Sequence, residues 1–253
     1  MKAQTYRLIQ SAILMGLGAY LLVKIFSGTL YYYINQRFLW LVALGAMVFL
    51  VLAFVAWRRL RTMQQNHQHA HHIHEYDHGH GSGASQWNLI FLAVPLLLGF
   101  LVPAKPLDSS ALELRGLTTN ALLGARAQTS GVQLEAPSDQ RTVLDWIRAF
   151  NFASDPSIYE GETADLIGFV YHDPRLLENQ FLVGRFAVSC CVADAFAIGM
   201  IVENLDAASW AGNSWVHVVG KVQVGDLDGQ PIPLIVAASI KEIAIPPQPY
   251  LFP

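Results

Sequence analysis

Seven histidines fall within fourteen residues, His67-Gln68-His69-Ala70-His71-His72-Ile73-His74-Glu75-Tyr76-Asp77-His78-Gly79-His80, and Gly81-Ser82-Gly83 follows them. Neutral imidazole is a borderline ligand that suits Zn²⁺, Ni²⁺, Cu²⁺ and Co²⁺. The candidate ligands are His67, His69, His71, His72, His74, His78 and His80. Their spacing is irregular and the surroundings are polar and glycine-rich, which predicts a chelating tether rather than a preformed tetrahedral site.

A second cluster lies in Val188-Ser189-Cys190-Cys191-Val192-Ala193-Asp194-Ala195, which holds both cysteines of the chain. Thiolate and carboxylate together would ligate a divalent transition metal such as zinc, so Cys190, Cys191 and Asp194 are candidate ligands, with His172 or His217 as a further donor. Side chains alternate along a strand. Cys190 and Cys191 are therefore expected to face opposite sides, with Cys190, Val192 and Asp194 sharing one face if the strand continues that far. That geometry separates the two sulfurs and disfavours a disulfide. Two other readings stay open: one cysteine packed as a small hydrophobe, or a redox or nucleophilic thiol. A lone strand histidine such as His217 is more often structural than a ligand. No Cys-x-x-Cys, Walker A loop, G-x-G-x-x-G, G-x-S-x-G or H-E-x-x-H occurs.

The elements that must carry these clusters divide the chain in two. Its 253 residues are 53% hydrophobic and only 14% charged, with a mean hydropathy of +0.34. That composition argues against a soluble cytosolic enzyme and a disordered chain. A net charge of −3 offers no basic field for nucleic acid, which is not expected as a partner. Residues 1–104 carry seven Lys/Arg and two acids, and residues 105–253 carry nine Lys/Arg and 17 acids. An apolar, basic-edged part thus precedes an acidic one.

Three uncharged runs lie in the first part: Leu8–Val23 (16 residues), Phe38–Trp57 (20) and Trp87–Pro103 (17, with Pro95 inside). About 20 apolar residues cross the roughly 30 Å of hydrocarbon in a bilayer, so three transmembrane helices are expected, the third kinked or tilted. The first run exceeds the usual signal-peptide core and no A-x-A site follows, so it is read as an anchor. Arg58, Arg59 and Arg61 directly follow the second run. By the positive-inside rule they place the N-terminus and the histidine loop (58–86) in the cytoplasm and the C-terminal domain outside.

Residues 105–140 read as a linker with little structure. Arg141–Phe150 has helical periodicity, with Asp139 as the candidate N-cap. Five Val/Ile/Phe-rich segments follow: Glu162–Tyr171, Gln180–Cys190, Ala195–Glu203, Ser214–Val224 and Ile232–Ile245. Turn signals separate them. Five strands and one helix in residues 141–253 predict a small OB-like barrel, the simplest arrangement that removes sheet edges; an open sandwich is the alternative. The fold class is therefore an α+β membrane protein, three N-terminal transmembrane helices followed by a small, mostly-β barrel.

Four stretches resemble one family. Tyr33-Ile34-Asn35-Gln36-Arg37 is similar to its Y-I-x-P-R motif before the second span, with Gln36 where proline is usual. Val94-Pro95-Leu96-Leu97-Leu98-Gly99 with Pro103 is similar to its third span. Phe186–Ala195 contains its Cys-Cys-x-Ala-Asp signature, and Pro246-Pro247-Gln248-Pro249-Tyr250-Leu251-Phe252-Pro253 is similar to its P-Y-L-Y ending. The chain thus resembles the YcgQ-type family of bacterial membrane proteins. The resemblance implies a multi-pass plasma-membrane protein, not an enzyme, that is the accessory subunit of a larger, multi-span permease. Three functions follow as expectations: a permease subunit for metal or another small solute, a membrane-anchored zinc sensor or chaperone needing no permease, and a membrane-anchored thiol enzyme.

Overall fold

The computed structural model describes residues 3–66, 86–116, 136–227 and 229–253. They form two units, one of residues 1–30 and 36–105 and one of residues 31–35 and 106–253.

The first unit is helical. Helix α1 spans Ala3–Phe26, α2 Leu39–Asn66 and α3 Gln86–Leu101. At 1.5 Å per residue, α1 and α2 reach about 36 and 42 Å, enough to cross a bilayer, whereas α3 reaches about 24 Å. Two helices are thus long and apolar enough to span, and only 17% and 11% of their apolar windows are buried. A core helix of a water-soluble protein would be mostly covered. The third expected span is the shorter helix, which runs on through Pro95. Close approach holds α1 to α2: a Cβ on Gly18 would lie 2.8 Å from Leu50 and 3.1 Å from the Ala46 carbonyl. Helix α3 is tied to α1 by the Tyr20 hydroxyl, which donates to the Gly99 carbonyl at 2.8 Å.

The second unit is built on a barrel of β1 (Thr163–Tyr171), β2 (Gln180–Ala187), β3 (Phe196–Glu203), β4 (Trp215–Leu227) and β5 (Gln230–Ile243). The five segments expected from the sequence are these five strands. Their order is β1-β4-β5-β3-β2, and β2 pairs back onto β1, which closes the barrel. Neighbours are antiparallel except β3 and β5. A two-residue strand, β6 (Tyr250–Leu251), lies parallel to β2 at Phe186 and Ala187. Closure between β1 and β2 needs Gly168, because a Cβ there would sit 2.6 Å from the Gly184 carbonyl oxygen.

Helix α5 (Val143–Phe152) inserts Trp146, fully buried, with Leu144, Ile147 and Phe150 into the barrel core of Phe181, Val183, Met200, Val216, Val218 and Ile235. Its N-cap is Thr142, not Asp139 as expected. Thr142 Oγ1 accepts from the Asp145 N–H, and Asp145 Oδ2 accepts from the Thr142 N–H at 2.9 Å, a capping box that satisfies two donors at once. Asp139 lies one turn earlier, in a 3₁₀ turn, Ser138–Gln140. A second structural difference concerns the expected linker. Residues 109–115 form helix α4 (Ser109–Arg115), capped by Asp108, and bury Leu112 in a separate apolar cluster with Phe169, Phe186, Val188, Trp215 and Tyr250.

Asp173, in the turn after β1, is buried and accepts from Arg175 Nε at 2.8 Å, from Nη2 at 2.6 Å and from its backbone N–H at 3.0 Å. The Arg175 side chain holds the carboxyl below the usual carboxylate range against the opposing effect of burial. A depressed folded-state pKa contributes stability that is present above the unfolded value and lost as pH falls through the folded one. The stability of the full chain, followed by barrel circular dichroism, is therefore expected to fall as pH drops from the unfolded-state value of about 4 through the depressed folded one. In Asp173→Asn the stability difference from wild type shrinks as pH drops below about 4.

Candidate functional site

Strand β2 ends at Ala187, three residues short of its expected end. There the Val188 N–H turns to the Leu251 carbonyl (2.9 Å), and residues 188–195 leave the sheet as a turn that finishes in a 3₁₀ segment, Val192–Asp194. The expected alternation of Cys190 and Cys191 onto opposite faces therefore does not hold. Instead the two Sγ atoms lie 3.8 Å apart, and neither cysteine is a buried core hydrophobe: Cys190 is exposed and Cys191 half-buried.

Asp194 organises this turn. Its carboxylate accepts from the backbone N–H of Ser189 (3.0 Å), Cys190 (2.7 Å) and Cys191 (3.4 Å). Partial burial pushes its pKa up, but the hydrogen bonds from the Cys190 thiol and these three amides outweigh it, and the carboxyl is held below its usual range. The same carboxylate raises the Cys190 thiol to about 11, with the neighbouring Cys191 contributing in the same direction. Cys190 is thus a protonated thiol at neutral pH, unlike an activated nucleophile, whose pKa is depressed. One ligand atom from each of Cys190, Cys191 and Asp194 lies within 4.8 Å of the others. Two sulfurs each about 2.3 Å from a zinc ion at the tetrahedral angle are roughly 3.8 Å apart, so the donor set fits such an ion without a large rearrangement.

Three segments distant in sequence hold the turn. The loop Tyr31–Asn35, which links α1 to α2 in the chain, lies against it as part of the barrel unit. Ile34 forms an antiparallel bridge with Cys191. The Asn35 N–H donates to the Cys190 carbonyl (3.0 Å), its buried side chain to the Ser189 carbonyl (2.9 Å), and the Val192 N–H to the Tyr33 carbonyl (2.9 Å). Arg115 of α4 donates from Nη1 to the Val192 and Ala195 carbonyls, at 3.0 and 2.8 Å. The C-terminal segment completes the frame: the Tyr250 hydroxyl accepts from the Leu107 N–H at 2.8 Å and donates to the Tyr32 carbonyl at 3.2 Å. Arg185, buried against the Trp215 ring, donates to the carbonyls of Ile167 and Gln248. Burial pulls its pKa down to about 10, which leaves it charged at neutral pH.

The other candidate donors are elsewhere. His172 Nε2 bonds the Trp210 carbonyl at 2.8 Å. His217 on β4 pairs with Asp165 on β1. Neither belongs to the three-residue donor group. The seven histidines of 67–80 lie outside the described residues. Asn35 and Arg115 were not among the expected site residues. No spacing in the sequence links them to Cys190; the only signal was that Asn35 sits in one of the four family-like stretches.

Residues 142–253 match the DUF1980 C-terminal domain and residues 9–118 match the DUF1980 N-terminal domain. A protein of Streptococcus mutans serotype c, provisionally named a two-component membrane permease complex subunit, is 25% identical over 93% of this chain and 94% of its own length. UPF0703 protein YcgQ of Bacillus subtilis (strain 168) is 26% identical over 38% of this chain and 35% of its own. A small single-stranded DNA-binding protein of Streptomyces coelicolor covers 33% of this chain and 93% of its own, at 16% identity and a TM-score of 0.23; a likeness that low carries no argument about ligand or fold. The apolar helices and the permease-subunit relative make this a membrane-associated chain. With both of the family's domains present in order, and YcgQ among its relatives, the chain belongs to the DUF1980 family of YcgQ-type proteins.

Proposed function

We propose that this chain is a non-enzymatic accessory subunit of a bacterial membrane permease and presents a divalent transition metal, zinc by preference, at Cys190, Cys191 and Asp194. The observation that carries the reading is the pairing of a dithiol–carboxylate group with the loop between α1 and α2. The ligand-bearing turn is hydrogen-bonded to the segment from which an apolar helix departs. Three protein donors leave a fourth position open, which suits a site that accepts and hands on an ion rather than one that only braces a fold. The high pKa of Cys190 argues against a nucleophile; a metal ion would displace the thiol proton on binding, so zinc uptake at this site is expected to strengthen as pH rises.

The strand order with its single parallel pair inside the barrel supports an OB-like assignment. Helix α3 completes a three-span anchor by tilting or by local thinning of the bilayer, with the histidine tract and the Arg58–Arg61 cluster on the cytoplasmic side. The histidines then offer a second metal reservoir across the membrane from the cysteines.

Affinity capture of the full chain from native membranes in mild detergent is expected to recover a multi-span integral membrane protein in stoichiometric amount. Recovery of the chain alone, together with undiminished zinc uptake, would instead leave the sensor or chaperone reading.

A further inference from the structure

Neighbouring cysteines in a regular strand are held apart, because successive side chains point to opposite faces. A turn lifts that restraint. Residues 188–195 leave the sheet after β2, and the two Sγ atoms stand 3.8 Å apart. A disulfide bond is about 2.05 Å long, so side-chain rotation has to bring the sulfurs closer by only about 1.8 Å. Both can be reached from solvent, Cys190 exposed and Cys191 half-buried. They are the only cysteines of the chain, so neither has another internal partner. The backbone around them is fixed independently of the sulfurs. Asp194 accepts from the Ser189, Cys190 and Cys191 amides, and Asn35 donates to the Ser189 and Cys190 carbonyls.

We propose that Cys190 and Cys191 form a reversible redox site, which closes into a disulfide between adjacent residues by exchange with a small disulfide and so withdraws both thiolates from the metal. One cysteine thiolate attacks the small disulfide, forms a mixed disulfide and releases one small thiolate. The second cysteine sulfur, already alongside, attacks the protein sulfur of that mixed disulfide, forms the Cys190–Cys191 bond and releases the other small thiolate. The two electrons given up by the cysteines reduce the small disulfide, and the two cysteine protons end on the released thiols. Proximity favours this internal step over attack by a thiol from solution. Adjacent Cα atoms are about 3.8 Å apart, closer than the roughly 4.4–6.8 Å of ordinary disulfides, which strains the ring and lets a dithiol reopen it. Withdrawal of the metal rests on the zinc site proposed above; the disulfide itself does not.

The test exposes the full chain in detergent, stripped of metal, to glutathione disulfide. Intact mass is expected to fall by two hydrogens, with no thiol left to alkylate, and dithiothreitol is expected to restore both thiols. The zinc-saturated chain is expected to close at least about tenfold more slowly, because a ligated thiolate is not free to attack. In a chain lacking residues 67–80, the oxidised form is expected to lose the zinc equivalent that the reduced form takes up. Persistent glutathione adducts or covalent dimers in place of the mass loss would overturn the redox site. So would an equal or greater yield of the internal disulfide in guanidinium, where the turn is gone. Undiminished zinc uptake after closure would overturn the withdrawal of ligands. A reduced chain with no cysteine-dependent zinc uptake would overturn the metal site alone, while the mass change still decides the disulfide.

Discussion

Replacing Cys190 and Cys191 together with serine is expected to abolish one equivalent of zinc uptake by the full chain, with affinity at that site falling at least about 100-fold. Mutation of residues that only support a metal ligand already costs about 10–100-fold, and here both thiolates go. The hard serine hydroxyl is a poor replacement for a borderline-soft ion. The readout is competition against a chromophoric chelator, measured also in a chain lacking residues 67–80. That deletion is expected to leave the cysteine equivalent in place, because its three donors all lie in the turn at the end of β2. If the double serine variant takes up as much zinc as wild type in the deletion background, the dithiol–carboxylate site does not bind metal. Asp194 is a less clean target, since it also accepts three backbone amides, and its loss would disturb the turn as well as the ligand set.

Trp146→Ala is expected to destabilise the barrel by about 3–5 kcal/mol, the usual range for truncating a buried aromatic. Trp146 is fully buried and anchors α5 in the main core. Its ring packs edge-on against Tyr159, with centroids 6.0 Å apart, and lies under Arg141 at 4.8 Å. For a unit of this size the loss corresponds to a drop in melting temperature of roughly 10–25 °C. Barrel circular dichroism of the full chain in detergent would follow it. A shift of less than about 5 °C would mean that α5 is peripheral to the core. The α1–α2 packing at Gly18 should be unaffected, because it contains no residue of the barrel.

The sequence made the barrel legible strand by strand. Val, Ile and Phe runs broken by His172-Asp173-Pro174, Gly212-Asn213 and Asp226 mark its five strands to within a few residues. The helix at 143–152 announces itself by period, but its cap is Thr142 and not Asp139: both are capping types, and only the reciprocal partner Asp145 decides between them. The cysteine turn was less legible. Alternation predicts opposite faces only while the chain stays in the sheet, and where it leaves, the last backbone partner is Leu251, more than sixty residues away. Asn35 is farther still, 154 residues from the Ser189 carbonyl it holds. Contacts of that span leave no periodicity to read. The third helix was visible as an apolar run, but its 16 residues leave it short for the hydrocarbon thickness that α1 and α2 exceed.

The placement of Tyr31–Asn35 makes the barrel unit discontinuous in the chain. A single cut before Pro106 does not excise it whole: such a fragment leaves the edge at Cys191 without its cross-bridge, the Ser189 and Cys190 carbonyls without Asn35, and the Tyr250 hydroxyl without Tyr32. Supplying residues 31–35 as a separate peptide would restore those groups. Loss or swapping of the apolar helices is constrained for the same reason, because five residues of the barrel unit are encoded between them.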